Sequence, residues 1–101
     1  MPRKRRKSFY QVTRKAPTGV QEWSLRYVVW QAMRELKRAD LTKLLGYLSD
    51  RQDFQRLQLR NETLRKEPTK FVYQQAWRLV QEGVLQEFDD RRYYGVRGRG
   101  F

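Results

Sequence analysis

Cysteine and histidine are both missing from this 101-residue sequence. That removes the commonest general base, the usual thiol nucleophile and nearly every zinc site. No Gly-x-x-x-x-Gly-Lys-Ser/Thr loop and no Gly-x-Ser-x-Gly elbow occurs either. The expectation is a protein that is not an enzyme, with no catalytic residue, no metal and no cofactor. Glu87, Asp89 and Asp90 stand beside Arg91 and Arg92, and they read as a hydrated turn rather than a magnesium site. Long apolar runs are missing as well: the longest is Tyr27-Val28-Val29-Trp30, far short of the roughly 20 residues that a membrane span needs. The basic N-terminus has no apolar stretch after it, so it is no signal peptide. A cytoplasmic, nucleoid-associated protein without membrane partners is expected, and the lack of cysteine agrees with a reducing compartment without requiring one.

Acidic residues are absent from both ends. Residues 1–16 carry seven basic groups and no acid, and residues 91–101 carry four and no acid, which leaves 12 basic and 11 acidic residues between 17 and 90. The net charge of +12 therefore sits on the ends of a nearly neutral body. Excess charge placed on two chain ends suits a polyanionic partner. With 39% hydrophobic residues and 14 aromatics, the body can close one modest core. Three segments follow: a basic flexible arm at 1–16, a folded domain at 17–96 and a basic Arg-Gly tail at 97–101.

Apolar spacing predicts about four helices. Leu25, Val29, Ala32, Met33 and Leu36 share a face of a first helix over 21–38. Asp40 is a good N-cap for a second, carried by Leu41, Leu44, Leu45 and Leu48. Asp50 can cap a third over 51–64, with Phe54, Leu57, Asn61 and Leu64 on one side. Glu67-Pro68-Thr69 breaks the chain, and Val72, Ala76, Leu79 and Val80 define a fourth helix from Lys70 to Glu82. Gly83 then stops it, since glycine enters the left-handed region without a Cβ penalty. Val84, Leu85 and Phe88, a turn at 89–92 and Tyr93-Tyr94-Gly95-Val96 predict a β-hairpin. Residues 8–13 have weak strand character and are either a third strand or part of the arm.

Residues 69–96, a helix ending in Glu82-Gly83-Val84-Leu85 followed by a polar turn and the aromatic run Tyr93-Tyr94, resemble the recognition helix and wing of the winged helix-turn-helix superfamily. The resemblance implies a mainly α fold with a small β-hairpin, a recognition helix in a DNA major groove, and a hairpin tip with Arg91 and Arg92 on backbone or minor groove. The long stretch 50–69 departs from the family. Either Leu41 to Ser49 or the 51–64 helix precedes the recognition helix.

If Val72, Ala76, Leu79 and Val80 face the core, then Lys70, Tyr73, Gln74, Trp77, Arg78 and Gln81 face outward or obliquely. Gln74 can pair with adenine and Arg78 with guanine, whereas Lys70 and Tyr73 suit phosphates. Trp77 is expected to pack against the 51–64 helix, and Trp23 and Trp30 to lie in the core or a dimer interface. Arg3, Lys4, Arg5, Arg6 and Lys7 form an arm of the kind that tracks a groove, as homeodomain arms do. Arg97-Gly98-Arg99-Gly100 resembles both an AT-hook core without its flanking prolines and an Arg-Gly RNA-binding segment. Double-stranded DNA is the expected partner, with RNA the alternative, a protein-interaction module the second, and a homodimer through helix 1 or the 51–64 helix a further expectation.

The charge count makes a measurable statement. Deleting residues 1–8 should flatten the slope of log K against log salt by about 0.9 for each phosphate that the arm no longer neutralises, with sequence preference retained. Deleting residues 97–101 should cost less affinity, preferentially on A·T-rich flanks whose narrow minor groove attracts arginine. No change in slope from either deletion would reduce both ends to solubilising tails.

Overall fold

The computed structural model describes residues 8–21 and 23–89, which form five helices and a three-stranded antiparallel sheet. In chain order these are β1 (Ser8–Val12), α1 (Leu25–Leu36), β2 (Arg38–Asp40), α2 (Leu41–Ser49), α3 (Gln52–Arg60), α4 (Glu62–Lys66), α5 (Pro68–Gln81) and β3 (Leu85–Asp89). Among the described residues no helix is long and apolar enough to cross a membrane.

The sheet order is β2-β1-β3, so the N-terminal strand is the central one. Tyr10 pairs with Ala39 of β2 on one side and with Glu87 of β3 on the other. Of the two expectations for residues 8–13 the strand is the one observed, and the arm gives up Ser8–Val12 to the sheet. An arm truncation that spares the sheet ends at Lys7, because Ser8 already pairs with Asp89. The first run of the expected hairpin is present as β3. Its second run, at 93–96, lies outside the described residues, as do Arg3 to Lys7, Arg91, Arg92, Arg97 and Arg99.

Helix α1 starts later than periodicity suggests, at Leu25, because the Ser24 hydroxyl accepts from the Tyr27 N–H at 3.2 Å and fixes the start there. Asp40 caps α2 as expected, its carboxylate accepting from the Lys43 N–H at 2.8 Å. Asp50 does not cap a third helix. It closes α2 instead, while α3 begins behind Arg51 with no side-chain cap. The single helix expected over 51–64 is two, because Asn61 adopts an extended backbone and its side chain accepts from the Leu64 N–H at 3.2 Å. Asparagine gains more as a cap than inside a helix. Phe54 and Leu64 still reach the core, so the apolar spacing survives the break.

One core holds these elements together. Tyr10, Val28, Val29, Met33, Leu44, Leu48, Val72, Leu79, Val84 and Leu85 are buried in it, and no described polar or charged residue is buried with them. Arg51 works at the rim. Its guanidinium donates to Glu35 of α1 at 2.7 Å and to both carboxylate oxygens of Asp53 at 2.9 and 3.0 Å. That hydrogen bonding outweighs partial burial and holds the Asp53 carboxyl below its ordinary range.

Helix α5 starts at Pro68, two residues before the expected Lys70, because proline is tolerated in a first helical turn, and it stops as the sequence predicts, ahead of Gly83. Gly83 has φ +81°, the Val84 N–H donates to the Leu79 carbonyl at 2.9 Å and the Gly83 N–H to the Val80 carbonyl at 3.0 Å. This is a Schellman stop, and it turns the chain directly into β3. A Cβ at Gly83 would stand 3.7 Å from Lys15 Cδ, an ordinary contact. The cost of Gly83→Ala therefore comes from the backbone, and denaturant unfolding should show a loss of about 1–2 kcal/mol. Unchanged stability would mean that the turn readily adopts another conformation.

Candidate nucleic-acid interface

Helix α5 is anchored on one side and open on the other. Val72, Ala76 and Leu79 are fully buried, and Arg26 of α1 forms an ion pair with Glu82 at the end of α5. The opposite arc carries Lys70, Tyr73, Gln74, Trp77, Arg78 and Gln81, all exposed. At i, i+4 spacing these six form two rows: Lys70, Gln74 and Arg78 in one, and Tyr73, Trp77 and Gln81 in the other. One row is cationic and amide-bearing, the other aromatic and amide-bearing. No acid occurs within α5, although Glu67 just before it stands 4.0 Å from the Lys70 ammonium.

The expected outward set is thus brought onto one face, with a correction at Trp77. Trp77 does not lie in the core: it is 49% exposed, as Tyr73 one turn before it is at 46%. The reason is angular. Each helical residue turns about 100°, so the position after buried Ala76 points away from the centre of the apolar stripe. The core expectation also fails for Trp23, which is 66% exposed. Trp30 is half-buried and packs against the core.

Tyr73 lies within electrostatic reach of Tyr10 on the central strand. Burial first, then the Glu87 carboxylate opposite it in the ladder and Tyr73, push the Tyr10 phenol well above its ordinary range. Tyr10 consequently stays neutral. Among the described residues nothing occupies the polar ends of Gln74 and Arg78, and both can reach a ligand. An amide offers one donor and one acceptor side by side, and a guanidinium offers a planar donor fork. Among the described residues no group of three or more acidic side chains could hold a metal ion.

A second cluster is not legible in the sequence. Arg14 and Lys15, beyond β1, meet Arg34 and Lys37, at the end of α1, around a cleft of about 540 Å³ walled by Trp30. The one local signal is Trp30 and Arg34 at i, i+4, where the guanidinium lies 4.9 Å from the ring centroid. Nothing local links either to Arg14. A scan against protein-family models, a search of curated proteins and a search of solved structures each found no match to this chain.

Proposed function

We propose that this chain is a non-enzymatic duplex DNA-binding protein of the winged helix-turn-helix type, a small transcriptional regulator or architectural factor whose α5 enters the major groove. The observation that carries this is the outward face of α5: six exposed residues, two of them cationic and two amides, on a helix rigidly seated by Val72, Ala76 and Leu79. A groove about 12 Å wide admits one α-helix, and glutamine and arginine are the side chains that match adenine and guanine edges there. The element order supports the fold assignment. Helix α5, its glycine stop and a strand in an antiparallel sheet follow one another as the resemblance implies, whereas the central strand β1, ahead of α1, is no part of that pattern. The extra helices α3 and α4 set the chain apart from its usual pattern, and α4 is joined to α5 through Glu67 alone.

Position assigns the roles. Gln74 and Arg78 read base edges, Lys70 and Tyr73 contact phosphates, and Trp77 offers an apolar surface to a thymine methyl. The basic arm and tail add sequence-independent attraction. A second reading is favoured by one observation. The exposed indole of Trp77 beside Tyr73 is what a protein-interaction module within a larger nucleoprotein assembly would present. Exposed Trp23 and Leu59 support the homodimer expectation in the same way.

Replacing Gln74 or Arg78 by Ala should cost about 1–3 kcal/mol on the preferred duplex and relax preference at one or two base pairs. Uniform weakening across sequences would make them phosphate contacts instead. Measured at matched ionic strength, labelled duplex DNA should be displaced by unlabelled duplex more readily than by structured RNA. Preferential displacement by RNA, or unaltered duplex binding in both variants, would overturn the proposal.

A further inference from the structure

The cleft behind Trp30 has the parts of a single-strand site. Arg14, Lys15, Arg34 and Lys37 are all exposed around it, and none of them forms an ion pair with a described residue. Among the described residues no acidic one lines the cleft. Glu35, next to Arg34 in sequence, is engaged elsewhere, accepting from the Tyr47 hydroxyl and from Arg51. Four cations converging without a counter-ion repel one another, and an anion in their midst relieves that repulsion.

The walls are held in place before any ligand arrives. Arg34 rests 4.9 Å from the Trp30 ring centroid, and Tyr27 meets the same ring edge-on at 5.6 Å. The facing rim is tied down at Thr13, whose hydroxyl donates to the Gly83 carbonyl at 2.7 Å and accepts from the Lys15 N–H at 3.1 Å. Lys37 is the most informative position. It has φ +69°, among the described residues the one non-glycine in the positive region, at a helix end where glycine would be cheaper. A strained lysine at a cationic rim keeps a charge there at a cost in stability.

We propose that this cleft binds a single-stranded polynucleotide, its phosphates among the four cations and one unpaired base against the Trp30 ring. A basic groove with an aromatic platform is the chemistry that holds unpaired strands, since every base has a π-face. About 540 Å³ falls within the roughly 300–1,000 Å³ that encloses small-molecule-sized groups. In a duplex the bases are already stacked and paired, and cannot lie on a half-buried indole. The site shares no residue with the outward face of α5, so it stands or falls separately from the duplex proposal.

The test uses the full chain with Trp23→Phe and Trp77→Phe, both exposed positions, leaving Trp30 as the sole tryptophan. Titration with short oligothymidylate or oligouridylate should quench Trp30 saturably, and added salt should weaken the effect. Arg14→Glu and Lys37→Glu should each raise Kd about tenfold or more, as removal of a charge-assisted hydrogen bond does. Gln74→Ala with Arg78→Ala should leave the quench intact. Lys37→Gly separates binding from structure: it should raise the thermal midpoint while weakening the strand. Should the paired tryptophan replacements perturb folding, anisotropy of a labelled strand on the unaltered chain gives the same comparison. Absence of quenching, equal quenching by a blunt duplex, or strand affinity unaffected by Arg14→Glu, Lys37→Glu and Lys37→Gly would overturn the proposal.

Discussion

Two adjacent residues at the end of β1 hold the ends of two helices. The Val12 N–H donates to the Lys37 carbonyl at the end of α1 at 3.1 Å, and the Thr13 N–H donates to the Val84 carbonyl just beyond α5 at 3.0 Å. The Thr13 hydroxyl adds a bond to Gly83. Because β1 also carries the ladders to β2 and β3, this short segment satisfies backbone groups that would otherwise be stranded near the core. The direction of α5, and with it the orientation of its outer face, depends on that clamp. So does the cleft, whose two rims are the segment after β1 and the end of α1.

Local signals make much of the helical frame legible. Asp40 announces its cap, Pro68 and Gly83 bracket α5, and the spacing of Val72, Ala76 and Leu79 places its buried stripe. Each of these works within a few residues of its own position. What stays obscure depends on distant partners. Nothing in Ser8–Val12 declares a central strand, because its partners lie at Arg38–Asp40 and Leu85–Asp89. Asn61 fits the apolar side of a helix by spacing alone, yet its amide competes for the backbone and splits that helix. Trp77 misleads because its bulk suggests burial while its angle on α5 exposes it. The cleft is invisible for the same reason as the sheet, since its cations come from segments that only the fold brings together.

Charge and rigidity divide the work in the proposed account. Among the described residues, the cations that form no ion pair include Arg78 on α5 and the four around Trp30. Cations tied up at the surface, such as Lys66 with Glu62 and Arg51 with Glu35 and Asp53, contribute little to attracting a polyanion. Phosphate attraction is non-specific, and selectivity has to come from side chains fixed in direction. Helix α5 offers that fixity, with a buried stripe on one side and polar and aromatic rows on the other.

The central claim is that the outward face of α5 meets duplex DNA. Titration of the isotopically labelled chain with a short duplex, followed residue by residue by nuclear magnetic resonance, addresses it most directly. The account predicts the largest shifts at Lys70, Tyr73, Gln74, Trp77, Arg78 and Gln81, including the Trp77 indole and Arg78 guanidinium side-chain signals, with buried Val72 and Leu79 moving less. A duplex that binds while these six positions stay unperturbed would contradict it.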